Sequence, residues 1–313
     1  MIAKLDRDQL EAELSALTSL LESLPVNDYL GRMGLESRRD EVNEKFDQLG
    51  RIEERRAKVA LYFGGAPVAG SMAIQAGFGT KVVGSFQDLL SKVWDRADGD
   101  PAIQMFPVNG KSASQLHITN LVHGSFGFLL EEMTEDCEPM FESSLSQAVD
   151  QVATYLACFA SESDEGFISA LEDLNPRVFQ SLREFFGHIH KGNATFRLVE
   201  GAQDYRFDQI AVTRAWQRVE ASNVDEEQTQ LHGKLLGVIP MRRRFEFEPD
   251  GSTQIIEGKV GAQFSHSYLE RISTEQFAGR RWKALFQKRL VKKMGRSPVE
   301  KYTLLKLEEI GTE

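Results

Sequence analysis

The sequence predicts a multidomain α+β protein: an N-terminal helical hairpin or short coiled coil, a mixed α+β body, and a small C-terminal β-barrel, OB-like or SH3-like. Three observations lead there. A leucine seam at heptad spacing opens the chain. Strand-like and helix-like runs then mix without the regular alternation of a doubly wound sheet. The stretch from residue 231 onward breaks into short strand-like runs around one helical run. The expected boundaries are 1–56, 57–225 and 231–313.

Leu10, Leu14, Leu17, Leu21 and Leu24 are spaced 4, 3, 4, 3, the period of a helix that buries one narrow seam. Pro25 stops that helix, and a charged helix follows from about Ser37 to Lys58, with Val42, Phe46, Leu49 and Ile52 as its stripe. The seam either packs on this second helix or the body, or dimerises. As an oligomerisation site it is the five leucines themselves.

AKVALYF (57–63) reads as a strand, GGAPVAGS as a loop, and GTKVVGSFQDLLSKVW as an amphipathic helix. LHITNLV and FGFLLEE read as two strands turned at His123-Gly124-Ser125. Helices are expected at Ser143–Ala160, Glu165–Leu174 and from Pro176 through FFGHIH. A hairpin, ATFRLVE with DYRF, precedes a helix capped by Asp208. In the barrel region, Phe245 and Phe247 alternate with Arg242, Arg244, Glu246 and Glu248. Along RRWKALFQKRLVKK, Trp282, Phe286 and Leu290 alternate with Arg281, Lys283, Arg289 and Lys293. The aromatics should face a core and the bases solvent.

With 41% apolar and 27% charged residues, the composition is that of a folded globular chain. No run approaches the roughly 18 to 20 apolar residues of a membrane span, so no membrane partner is expected. MIAKLDRDQLEAEL carries acids by its sixth residue and lacks a signal-type apolar region. Cys137 and Cys158 form no redox or zinc spacing, which places the chain in a reducing cytoplasm. The net charge of −10 is uneven: residues 231–313 hold 16 basic and 10 acidic groups, while the first 230 hold 21 and 37. A basic end on an acidic body either binds a polyanion or draws the two parts together.

Catalytic patterns are incomplete. Gly65-Ala66-Pro67-Val68-Ala69-Gly70-Ser71 lies between a strand and a helix, as a phosphate loop would. It lacks the lysine of a working P-loop, and Pro67 removes a backbone donor. Ser125 sits in Gly-Ser-Phe-Gly without the glycine pattern or the following helix of a nucleophile elbow. The acidic runs at 131–138 and 162–165 have no calcium-loop spacing, and His188 and His190 diverge by about 200° on a helix. No metal or other cofactor is expected.

SQLHITNLVHGSFGFLLEE, FGGAPVAGS and HGKLLGVIPMRRRFEFEPDGSTQIIEGKV resemble segments of a widespread family of uncharacterised bacterial proteins. The likeness covers most of the chain after residue 57 and implies a bacterial cytoplasmic origin, with no activity, cofactor or site residue attached.

The expectation is a non-enzymatic interaction or assembly protein. It would self-associate or bind another protein or nucleic acid through Arg242, Arg244, Arg281, Lys283, Arg289 and Lys293. A part in a multi-protein, defence-type system extends that reading but rests on no residue. The alternative is a nucleotide-binding or hydrolytic enzyme using the Gly64–Ser71 loop with Glu131 or Glu132.

Overall fold

A computed structural model describes residues 3–25, 28–49, 56–97, 114–122, 126–133, 142–252, 254–274, 280–292 and 297–309. The chain is mixed α+β. Helices α1 (Ala3–Ser23) and α2 (Tyr29–Leu49) form an antiparallel hairpin. Leu17 and Leu21 are buried, Leu10, Leu14 and Leu24 half-buried, and Val42 fully enclosed. Arg38 pairs with Glu13 at 2.7 Å, and the Arg7 guanidinium lies 5.0 Å from the Phe46 ring centre. The seam is therefore closed by the neighbouring helix of the same chain.

The body is built on an antiparallel sheet in the order β4-β5-β1-β6-β7. Its strands are β1 (Lys58–Gly65), β4 (Leu116–Val122), β5 (Phe126–Glu132), β6 (Ala194–Glu200) and β7 (Gln203–Phe207). Two-residue strands β2 (Val68–Ala69) and β3 (Ala73–Ile74) form a separate small hairpin. Central β1 is buried on both faces, which is why residues 59–63, VALYF, are continuously apolar rather than alternating. Val59, Leu61 and Phe63 face the main core with α3 (Ala76–Ala97), α4 (Ser144–Ala160) and α6 (Pro176–Lys191). Ala60 and Tyr62 face the other way with Leu129 and Val199, and Leu5 of α1 packs against them.

Helices α5 (Asp164–Asp173) and α7 (Gln209–Glu220) complete the body. The caps are those the residue types demand. Ser143, Asn175 and Asp208 each accept from the amide three residues on, and Pro176 occupies the first turn of α6. The expected turn at 123–125 lies outside the described residues, although β4 and β5 pair antiparallel on either side of it.

From residue 223 the chain forms β8 (Asn223–Ile239), a single 3-10 turn at Pro240–Arg242, β9 (Arg244–Pro249), β10 (Ile256–Val260), α8 (His266–Thr274), β11 (Arg281–Lys292) and β12 (Val299–Glu309). The strands close in the order β10-β12-β11-β8-β9, and the β10–β12 contact is parallel while the other four are antiparallel. Phe245, Phe247, Trp282, Ala284, Phe286 and Leu304 fill the interior, with Leu269 and Ile272 from α8. At the parallel contact a Cβ on Gly258 would stand 2.0 Å from the Tyr302 carbonyl oxygen, so no larger residue fits there without moving the strands.

Some expectations need correction. The second helix spans Tyr29–Leu49 rather than about Ser37 to Lys58, and Lys58 instead opens β1. Residues 226–230, between the expected boundaries, belong to β8, which begins at Asn223, two residues after α7's C-cap, and runs unbroken into the ring. Leu290 is also not a core residue of the barrel. It is half-buried, whereas Val291 is fully buried and opposes Val224, both belonging to the core of the body. Alternation along β11 persists, but its far end buries the opposite face against the helices. A period of two reports that faces differ, not which one meets a core.

Candidate functional site

The Gly64–Ser71 loop and the Glu131–Glu132 pair lie at opposite ends of β1. Gly65 has φ +88° and lies against Asn193, whose carbonyl accepts from the Ala66 amide. Gly70, at φ +59°, turns the β2–β3 hairpin. The Met72 amide donates to Ala69 and the Gln75 amide to Pro67, so those donors are spent on the loop itself, and Ser71 is exposed. Lys58 pairs with Glu131 at one end of β1 and Gly65 with Ala194 at the other, about 23 Å away along an extended strand.

Glu131 and Glu132 hold the sheet together. Lys58 Nζ lies 2.7 Å from Glu131, and Thr119 donates to the same carboxylate. Burial pushes that carboxyl up, but the hydrogen bonds from Lys58 and Thr119 and the lysine charge outweigh it and hold it below the ordinary range. Glu132 accepts from the Ala57 amide at 2.9 Å and from the Ser143 hydroxyl at 2.6 Å.

His188 and His190 sit on α6 and diverge. The His190 ring stacks on Trp216 with centres 5.7 Å apart, while burial, then the nearby Lys81 charge, lower the His188 pKa. Among the described residues no three His, Cys, Asp or Glu side chains cluster to hold a metal ion.

The basic stripe is largely neutralised. Arg281 pairs with Asp250, Lys283 with Glu308 at 3.5 Å, Lys288 with Glu300 at 2.9 Å, and Lys292 with Asp225 at 3.7 Å. Glu246, Glu248 and Glu257 take no part in these pairs. Their strands, β9 and β10, do not border β11, whose neighbours are β8 and β12. Arg289 is not a surface base at all. It pairs with Glu226 at 2.6 Å, and both side chains are about four-fifths covered, at 22% and 19% exposure. Its guanidinium also reaches the Asp173 carbonyl in the last turn of α5 at 3.3 Å. Lys301 lies 3.2 Å from the Glu172 carboxylate and Lys259 3.7 Å from that of Asp173. Three barrel cations thus converge on the C-terminal end of α5, where backbone carbonyls and the helix dipole add to the negative charge. Lys293 lies outside the described residues.

Of the bases singled out in the sequence, those left outward and without an ion pair among the described residues lie at the turn between β8 and β9. Arg242 and Arg244 are exposed, and among the described residues neither has an ion-pair partner; just before them in the chain Met241 is 84% and Ile239 47% exposed. Arg243 adopts φ +49°, and its guanidinium donates to the carbonyls of Gly261 and Phe264, fixing the turn from behind. No described Phe, Tyr or Trp ring of the barrel is exposed: Tyr268 stacks on Phe264 at 5.7 Å and Tyr302 stands edge-on to Phe286 at 6.1 Å.

Sequence reasoning missed a second feature, a cleft of about 630 Å³ between α4, α5 and β10. Gln147, Gln151, Thr154 and Cys158 of α4 line it, with Gly166, Ser169 and Asp173 of α5 and Lys259 of β10. Burial raises the Cys158 thiol pKa. The spacing 4, 3, 4 on α4 is visible in the sequence, but nothing local says that β10 comes to face it. No helix is long and apolar enough to cross a membrane among the described residues. No family model, curated protein or solved structure matches the chain.

Proposed function

We propose that this chain is a non-enzymatic bacterial binding protein of the cytoplasm, and that its C-terminal ring is an OB-type barrel docking an acidic segment of a protein partner. The observation that carries the reading is the β8–β9 turn, where exposed Met241 is followed by the exposed Arg242 and Arg244. Arginine and methionine are enriched at protein interfaces, and a buttressed turn loses little freedom on binding. The parallel β10–β12 contact and the helix between β10 and β11 favour OB over SH3-like topology, and the connection between the first two strands is a ligand loop in OB folds. Single-stranded nucleic acid is disfavoured because bases stack on exposed rings.

Assembly would run through the tip of the N-terminal hairpin, where Leu30 is 80% exposed beside Tyr29 and Met33, rather than through the closed seam.

A photo-crosslinking residue placed at Met241 in the source cells, with Met72 as an exposed control, tests the docking surface. A discrete protein adduct at 241, absent at 72 and lost in Arg242→Glu/Arg244→Glu, is the expected result. A nuclease-sensitive adduct would move the assignment to nucleic acid, and no adduct at 241 would overturn it.

A further inference from the structure

The cleft between α4, α5 and β10 has the volume of a ligand site, about 630 Å³, inside the range of roughly 300 to 1,000 Å³ for such pockets. Its floor is apolar and firm: Val93, Ala148, Tyr155 and Val178 are all buried. The walls differ. Gln147, Gln151, Thr154 and Ser169 present amides and hydroxyls, and none of the four side chains is hydrogen-bonded to another described residue. Two amides and two hydroxyls offer both donors and acceptors, the pairing that a peptide backbone needs at each residue.

The long axis is set by α5. Gly166 lies near one end, where a Cβ would come 3.9 Å from Cys158 Sγ. Asp173 lies seven residues on, about 10 Å along the helix axis. That is the length of about three extended residues. A glycine inside a helix is unfavourable relative to alanine, and at Gly166 its effect is to leave the space above the floor open.

Lys259 and Asp173 are the charged residues of the lining. They stand 3.7 Å apart with side chains 73% and 51% exposed, a loose surface pair. Lys301 is 3.9 Å from the same Asp173 oxygen, so that carboxylate keeps a cation when Lys259 turns away. Lys259 is then free for an incoming anion.

We infer that the cleft binds a short extended peptide, about three residues long, with its free C-terminal carboxylate on Lys259 and its backbone amides on Gln147, Gln151, Thr154 and Ser169. The cleft is distinct from the β8–β9 turn, and neither assignment depends on the other.

The probe is a mixture of N-acetylated tripeptides of randomised composition, supplied as free acids or as C-terminal amides. The readout is the alkylation rate of Cys158 by iodoacetamide in the full chain, with the site of labelling identified by mass spectrometry. Free acids should slow alkylation at Cys158 at least about tenfold more effectively than amides. Lys259→Ala should erase the difference between acid and amide. Gly166→Leu should abolish protection, and Gly166→Ala, whose methyl makes only ordinary contact with Cys158, serves as the folded intermediate step with weakened protection. Equal protection by acids and amides would overturn the proposal. So would protection that survives Gly166→Leu in a folded protein, or no protection at the solubility limit of the free acids.

Discussion

Asp204 of β7 has both carboxylate oxygens taken by Arg197 of β6, at 2.7 and 2.8 Å, and that guanidinium lies 5.3 Å from the Tyr62 ring centre. The hydrogen bonds from Arg197 hold the Asp204 carboxyl below its ordinary value. Because the folded pKa is depressed, the stabilisation is complete above the unfolded value of about 3.9 and disappears as pH falls through the folded one. Asp204→Asn should therefore cost about 1 to 3 kcal/mol at pH 7, and the gap to the parent should narrow below about pH 4. Urea titrations at pH 7 and pH 3 measure both. Some residue roles are legible in sequence because they are local. Asp208 caps the helix that begins one residue later, and its side chain accepts from Ala211. Others are not. Arg289 and Glu226 are 63 residues apart, and no local pattern tells a base held by a distant acid from one that faces solvent.

The N-terminal hairpin is the element whose pattern is plainest and whose function is least determined by it. Heptad spacing predicts a buried seam but is silent on whose helix covers it. The charged α2 supplies the cover, through Val42 and Phe46. Leu17→Ala should lower stability by about 2 to 4 kcal/mol with no change in solution mass. Leu30→Glu should leave stability nearly unchanged and reduce solution mass to that of one chain. Light scattering alongside urea titration separates the two, and a mass change in Leu17→Ala alone would return assembly to the seam. Strand β11 teaches the same lesson. Its alternation was readable to Phe286, then the strand passes from one core to another and Val291 replaces Leu290 as the enclosed residue.

Across the whole molecule the uneven charge has a structural outlet. Arg289, Lys301 and Lys259 of the barrel meet Glu172 and Asp173 of the body. Attraction between the two parts, one of two readings open from composition, accounts for those bases. Arg289→Ala leaves Glu226 largely covered and without its cation, so it should cost about 1 to 3 kcal/mol. Arg281→Ala removes an exposed pair with Asp250 and should cost under about 1 kcal/mol. Urea midpoints of the two variants compare them directly, and equal losses would contradict the clamp. The boundary expected at residue 231 falls inside β8; a strand that changes neighbours midway keeps the same alternation. β8 pairs with β11 from Asn223–Lys292 to Lys234–Arg281 without a break in register. The barrel is consequently not a tethered module that tumbles beside its body. A partner that touched both the β8–β9 turn and the cleft would meet two sites at one preset spacing, and its second contact would form without the search that a flexible linker imposes.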